Sequence, residues 1–107
     1  MTEQKTISEL MTLVMKECKK GNYDSAIIYL NEAIKIEPNS VFAYRLRADA
    51  KGKSGDYQGA INDYSKAIEI NPKKAYLYDF RAESKQKLGD NESADEDKKK
   101  ADKLKKY

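Results

Sequence analysis

Arg47, Lys51 and Asp63 recur 34 residues later as Arg81, Lys85 and Asp97. Two cations and one carboxylate that travel together have two chemistries open to them. The cations could hold a phosphate, or each carboxylate could pair with an Arg or Lys on an adjoining helix and satisfy charges at a partly buried contact. Phosphate readers do not usually carry their own neutralising acid, so the joint recurrence favours pairing within the fold. Other reactive groups are few. The chain has no His and a single Cys, which removes most metal-ligand sets, any intramolecular disulfide, and the Ser/His and Cys/His pairs of common nucleophilic enzymes. Cys18 stands four residues after Val14 and eight after Leu10, on an apolar helix stripe. With no second thiol to resolve it and no imidazole to activate it, it reads as a half-buried structural group. The acidic stretch DNESADED lacks the alternating Asp and central Gly of a calcium loop. Neither a metal, a cofactor nor a catalytic activity is expected.

Whole-chain properties narrow the partners. A net charge of +3 over 107 residues demands no nucleic acid and no anionic membrane. The basic finish KKKADKLKKY, opposite an acidic start, matches the sign of a helix macrodipole. The apolar run LMTLVM (residues 10–15) is too short for a signal or a span, and a cytoplasmic location is the default expectation.

The elements that must position these residues are written in the same period. GNYDSAIIYLNEAIKIEP (residues 21–38) returns without a gap as GDYQGAINDYSKAIEINP (residues 55–72). Tyr57, Ala60, Ile61, Tyr64, Ala67 and Ile68 fall on one face of a helix. A second helix, from Val41 to Ser54, precedes it. Gly55 suits the left-handed end of that helix and Asp56 suits the cap of the next, so the two form a tight antiparallel hairpin that Pro72 ends. The same parsing predicts helices over Ser8–Lys20, Asp24–Glu37, Ala75–Leu88 and Asn91–Lys106. The alanine pairs Ala26/Ala33, Ala60/Ala67 and Ala94/Ala101 keep one spacing, as close helix packing requires. Where the second copy has Tyr57, Ile61, Tyr64 and Ile68, the third has Asn91, Asp95, Lys98 and Asp102, so the last helix should present a polar outer face that closes the stack.

The unit of 34 residues, the glycine turn, the alanine pairs and the terminal proline resemble the tetratricopeptide repeat family, from Ile7 to about Leu104. The second copy carries the pattern as Tyr44, Arg47, Ala48, Gly55, Asp56, Tyr57, Ala60, Tyr64, Ala67 and Pro72; it departs by having no Trp and by placing Arg47 and Lys51 where apolar or aromatic residues are usual. The resemblance implies an all-α, right-handed α-solenoid: one domain, residues 1–107, of three antiparallel helix-turn-helix hairpins (about 7–40, 41–74 and 75–107), with the last helix as cap. It also implies a non-enzymatic module that binds another protein.

In this family the first helix of each hairpin lines the concave face. Carried onto this chain, the resemblance selects Met11, Met15, Phe42, Arg45, Leu46, Asp49, Tyr76, Asp79, Phe80 and Glu83 as the partner-binding groove. Their apolar and aromatic character suits a short apolar or amphipathic segment of a partner, with some of them turned into contacts between hairpins. Chaperone-binding members grip a terminal carboxylate with Lys, Asn and Arg; Met11, Met15, Leu46, Tyr76 and Phe80 occupy those places here, so that specificity is not implied. Arg45 and Lys53 are left for one acidic group on a ligand, although each reads more simply as a solvated side chain. The alternative is a self-assembling unit: Ile7, Leu10, Met11, Leu13, Val14 and Met15 are too widely spread for one face, and a homodimer through that N-terminal edge would cover them.

Overall fold

The computed structural model describes residues 4–106, and these form six helices: α1 (Ile7–Lys19), α2 (Tyr23–Ile36), α3 (Val41–Lys53), α4 (Tyr57–Ile70), α5 (Ala75–Lys87) and α6 (Asn91–Lys105). For the five helices whose ends the sequence predicts, each boundary falls within one residue of its expected place, and α4 opens directly after the expected cap Asp56. The start of α1 moves forward because Thr6 and Glu9 close a capping box: the Thr6 hydroxyl accepts from the Glu9 N–H at 3.2 Å, and Glu9 Oε1 accepts from the Thr6 N–H at 3.1 Å.

The three hairpin turns are chemically alike. Gly21, Gly55 and Gly89 have φ of +80°, +94° and +84°, and each sits just past a helix end. At the second turn the Asp56 N–H donates to Lys51 O at 2.8 Å and the Gly55 N–H to Gly52 O at 3.1 Å, which satisfies carbonyls the helix leaves unpaired. Asp56 then turns its carboxylate onto the Gly59 N–H and opens α4. Gly55→Ala is expected to cost about 1–2 kcal/mol through backbone strain alone, since no atom lies within 4 Å of the added methyl; urea denaturation would measure it.

Each helix packs on the next in chain order, and the stack extends over 50 × 28 × 19 Å. Its radius of gyration, 14.5 Å, exceeds the roughly 13 Å of a compact domain of this length, as a row of hairpins should. The core is divided along the row. Val14, Ala26 and Leu30 form one buried cluster, against which Met11, Cys18 and Leu46 pack. Ala48, Ala60, Tyr64, Ala67 and Leu77 form another, with Val41, Tyr44, Ile68 and Phe80 against it. All six repeated alanines are fully buried, and small side chains there let the helices close up.

The recurrent charged set pairs within the fold. Arg47 makes a two-pronged contact with Asp63, Nε and Nη2 each at 2.8 Å, and Lys51 Nζ stands 3.1 Å from the same carboxylate. One repeat later Arg81 reaches Asp97 at 2.8 and 2.6 Å, with Lys85 at 2.9 Å. Each arginine also donates backward, Arg47 to Asn31 on α2 at 2.9 Å and Arg81 to Ser65 on α4 at 3.1 Å. The guanidinium therefore joins three helices across a repeat boundary. In the first hairpin the corresponding places hold Leu13, Glu17 and Tyr29, and apolar contact takes over.

The two ends differ less in polarity than the sequence suggests. Asn91, Asp95, Lys98 and Asp102 are exposed on α6, as expected of a polar face. On α1, however, Leu10 and Val14 are fully buried, and Met15 is the one large apolar side chain on that helix left fully open. Packing on α2 absorbs most of the apolar surplus. No helix among the described residues is long and apolar enough to cross a membrane.

Candidate functional site

A cleft of about 540 Å³ lies between the second and third hairpins. The last turns of α3 supply Asp49, Gly52 and Lys53; α4 supplies Tyr57 and Tyr64; α5 supplies Phe80, Glu83, Ser84 and Lys87. Its volume suits one or two large side chains of a ligand. Aromatic rings meet there. Tyr64 and Phe80 lie 5.8 Å apart between centroids, and Phe80 meets Tyr76 edge-on at 5.9 Å.

Charged groups hold this arrangement in place. The Tyr64 hydroxyl, on an otherwise buried ring, donates to Asp49 Oδ1. Burial, reinforced by the hydrogen bond and charge of Asp49, pushes the phenol upward, so Tyr64 stays a neutral donor well into the alkaline range. Arg45 Nε stands 3.2 Å from Asp49 Oδ2, close enough for attraction but without the alignment of a hydrogen bond, which leaves this buried nitrogen unsatisfied. Its guanidinium carbon lies 5.5 Å from the Phe80 centroid and 5.7 Å from that of Tyr76, a cation–π bridge from α3 to α5. Asp79 is held by Lys105 of α6 at 2.5 Å.

The ten residues selected from the sequence divide into three groups. Asp49, Phe80 and Glu83 line the cleft, and Arg45 and Tyr76 adjoin it through Phe80. Met11 and Leu46 are half-buried against the core of the first hairpin, and Asp79 is turned to α6. Met15 and Phe42 stand open, 56% and 53% exposed. Phe42 makes no ring contact with Tyr76 or Phe80 among the described residues; Arg45 covers those two rings, and the further ring against Phe80 is Tyr64. Sequence reasoning missed Gly52, Tyr57, Tyr64, Ser84 and Lys87 as lining residues. For Lys87 the signal was present, since it repeats Lys53 one period later.

Among solved structures the fold has close counterparts. A crystal structure of MamA superposes with a TM-score of 0.87 at 23% identity, covering 94% of this chain and 58% of that one. A point mutant of MamA gives 0.84 at 21%, covering 92% and 72%. The second TPR of Spaghetti (RPAP3), bound to the HSP90 peptide SRMEEVD, gives 0.85 at 21%, covering 92% and 91%. The chain spans little more than half the length of most of the MamA structures. No curated protein matches it. Tetratricopeptide repeat models match residues 41–74 and 19–40. With two consecutive matches over more than half its length and six helices paired as hairpins about the same repeat, the chain belongs to the tetratricopeptide repeat family.

Proposed function

We propose that the protein is a non-enzymatic interaction module that receives a short apolar or amphipathic segment of a partner protein on the groove side of α3 and α5. The observation that carries this reading is the cleft itself, floored by the Tyr64 and Phe80 rings and flanked by Tyr76. Exposed aromatic surface beside a preformed cavity of this size is what peptide anchors use. The RPAP3 domain, of like fold, is bound to a peptide, which supports the reading by analogy. A cytoplasmic location and a single working domain belong to the same proposal.

Tyr76 offers the cleanest test, because it is an exposed large side chain, at 36%, whose ring meets Phe80 and Arg45 beside the cleft. Peptides selected from a displayed random library on the immobilised protein should be rich in apolar residues. Tyr76→Ala should weaken their binding about tenfold and change folding stability by less than about 1 kcal/mol. Equal retention by the variant would remove the ring from the site, and selection of no peptide would remove the groove.

A further inference from the structure

We infer that the edge of this groove is a basic rail, Lys19, Lys53 and Lys87, that fixes the sign and spacing of charges on the bound segment; the inference rests on the groove reading above. The three lysines stand one repeat apart, at the same place in the last turn of α1, α3 and α5. All three are exposed, and none has a carboxylate within salt-bridge distance among the described residues. Lys53 and Lys87 line the cleft.

Two structural explanations for the row fall short. A helix C-terminus favours a cation, but α4 ends without any basic residue in its last turn, so the fold does not require one at every end. Lys51 and Lys85 in the same last turns are engaged with Asp63 and Asp97; Lys53 and Lys87 are additional and unengaged. The acids on the same rim are Asp49 and Glu83, one turn earlier on each helix. Asp49 is already engaged by the Tyr64 hydroxyl and Arg45, whereas Glu83 has no cationic partner within salt-bridge distance among the described residues. In the first hairpin Met15 stands at that place, and only the lysine row continues through all three.

Spacing points to the ligand. Leu46 of α3 packs on the Val14 cluster of α1, and Arg45 of α3 reaches the Tyr76 and Phe80 rings of α5, so successive first helices lie on the order of 10 Å apart, and an extended chain advances about 3.3 Å per residue. A strand crossing the helices therefore meets one lysine about every third residue. The fitting partner is an extended protein segment with Asp or Glu at every third position and apolar side chains between, which reach the Tyr64–Phe80 floor. A continuous polyanion such as RNA fits less well, because its unbroken phosphates would also pass Glu83.

The test uses a fluorescent synthetic peptide with Glu at every third position and Leu between, the same peptide with Lys for Glu, and single-stranded poly(U), titrated at low and high salt. The Glu peptide should bind, weaken as salt rises, and lose about tenfold in affinity on the Lys53→Glu/Lys87→Glu variant. The neutral Lys53→Gln/Lys87→Gln pair should give a smaller loss in the same direction, with the melting temperature lowered slightly in both and less in the neutral pair, as loss of a cation from a helix C-terminus requires. If the Lys peptide binds as well as the Glu peptide, or binding ignores both variants, the rail fails while the groove survives. If neither peptide binds, both fail. Tighter binding of poly(U) than of the Glu peptide would overturn the choice of a protein partner.

Discussion

Replacing Asp97 by alanine is expected to lower folding stability by about 3 kcal/mol, near the lower end of what removing one partner of a buried ion pair costs. Asp97 is 5% exposed and receives Arg81 and Lys85 together. Its loss leaves two partly buried cations facing each other; because both retain some contact with water, the upper end of the range is not reached. Asp97→Asn should cost less, and exchanging Arg81, Lys85 and Asp97 together for apolar residues of similar size should cost less than removing Asp97 alone. Urea denaturation at neutral pH measures all three. Acid supplies a second readout. Burial alone would raise the Asp97 carboxyl, but the hydrogen bonds and charges of Arg81 and Lys85 outweigh it and hold the group below its ordinary value. A carboxyl depressed in the folded state contributes stability above its unfolded pKa, about 3.9, and loses it as pH falls through the lower folded value. The stability difference between wild type and Asp97→Ala should therefore narrow below about pH 4. A difference independent of pH would mean that the carboxylate acts through packing and not through charge.

Tyr64→Ala should have an effect as large, about 3–5 kcal/mol. The ring is 5% exposed and belongs to the cluster of Ala48, Ala60, Ala67 and Leu77, with Phe80 packed on its other side. Few large side chains are available to fill the hole, since three of those four neighbours are alanines. Tyr64→Phe keeps the ring and removes only the bond to Asp49, for which about 1 kcal/mol is expected because water can reach the partly exposed carboxylate. Thermal unfolding of the two variants separates packing from hydrogen bonding. A loss of equal size in both would make the hydroxyl, and not the ring, the centre of that cluster.

Much of the architecture was legible because the features that define it are local. Gly55 and Asp56 specify a turn with their own backbone and side-chain chemistry, and the alanine pairs mark close packing whatever their partners are. The pairing of Asp63 and Asp97 was legible for a different reason: acid and base recurred together, and only mutual satisfaction explains that. The cleft was harder to read. Tyr57 and Tyr64 looked like members of one apolar face of α4, and which part of that face remains open depends on how far α5 is displaced from α3. That displacement is a property of three helices at once. Phe42 shows the same limit, since equivalence to Tyr76 in sequence did not bring the two rings together: Arg45 covers Tyr76 and Phe80, whereas no ring or guanidinium contact among the described residues engages Phe42.

The absence of an arginine–aspartate latch from the first hairpin makes the row unequal along its length. In a linear stack each unit leans only on its neighbours, so the response to a stress depends on which units carry the vulnerable bond. Protons attack carboxylates and leave apolar contacts nearly untouched. The hairpins α3–α4 and α5–α6 are joined through Asp63 and Asp97, whereas α1–α2 is closed by Leu10, Val14, Ala26 and Leu30. Acid thus loosens the α5–α6 hairpin through Asp97, whereas the buried contact between α1 and α2, made of Leu10, Val14, Ala26 and Leu30, holds no carboxylate to protonate.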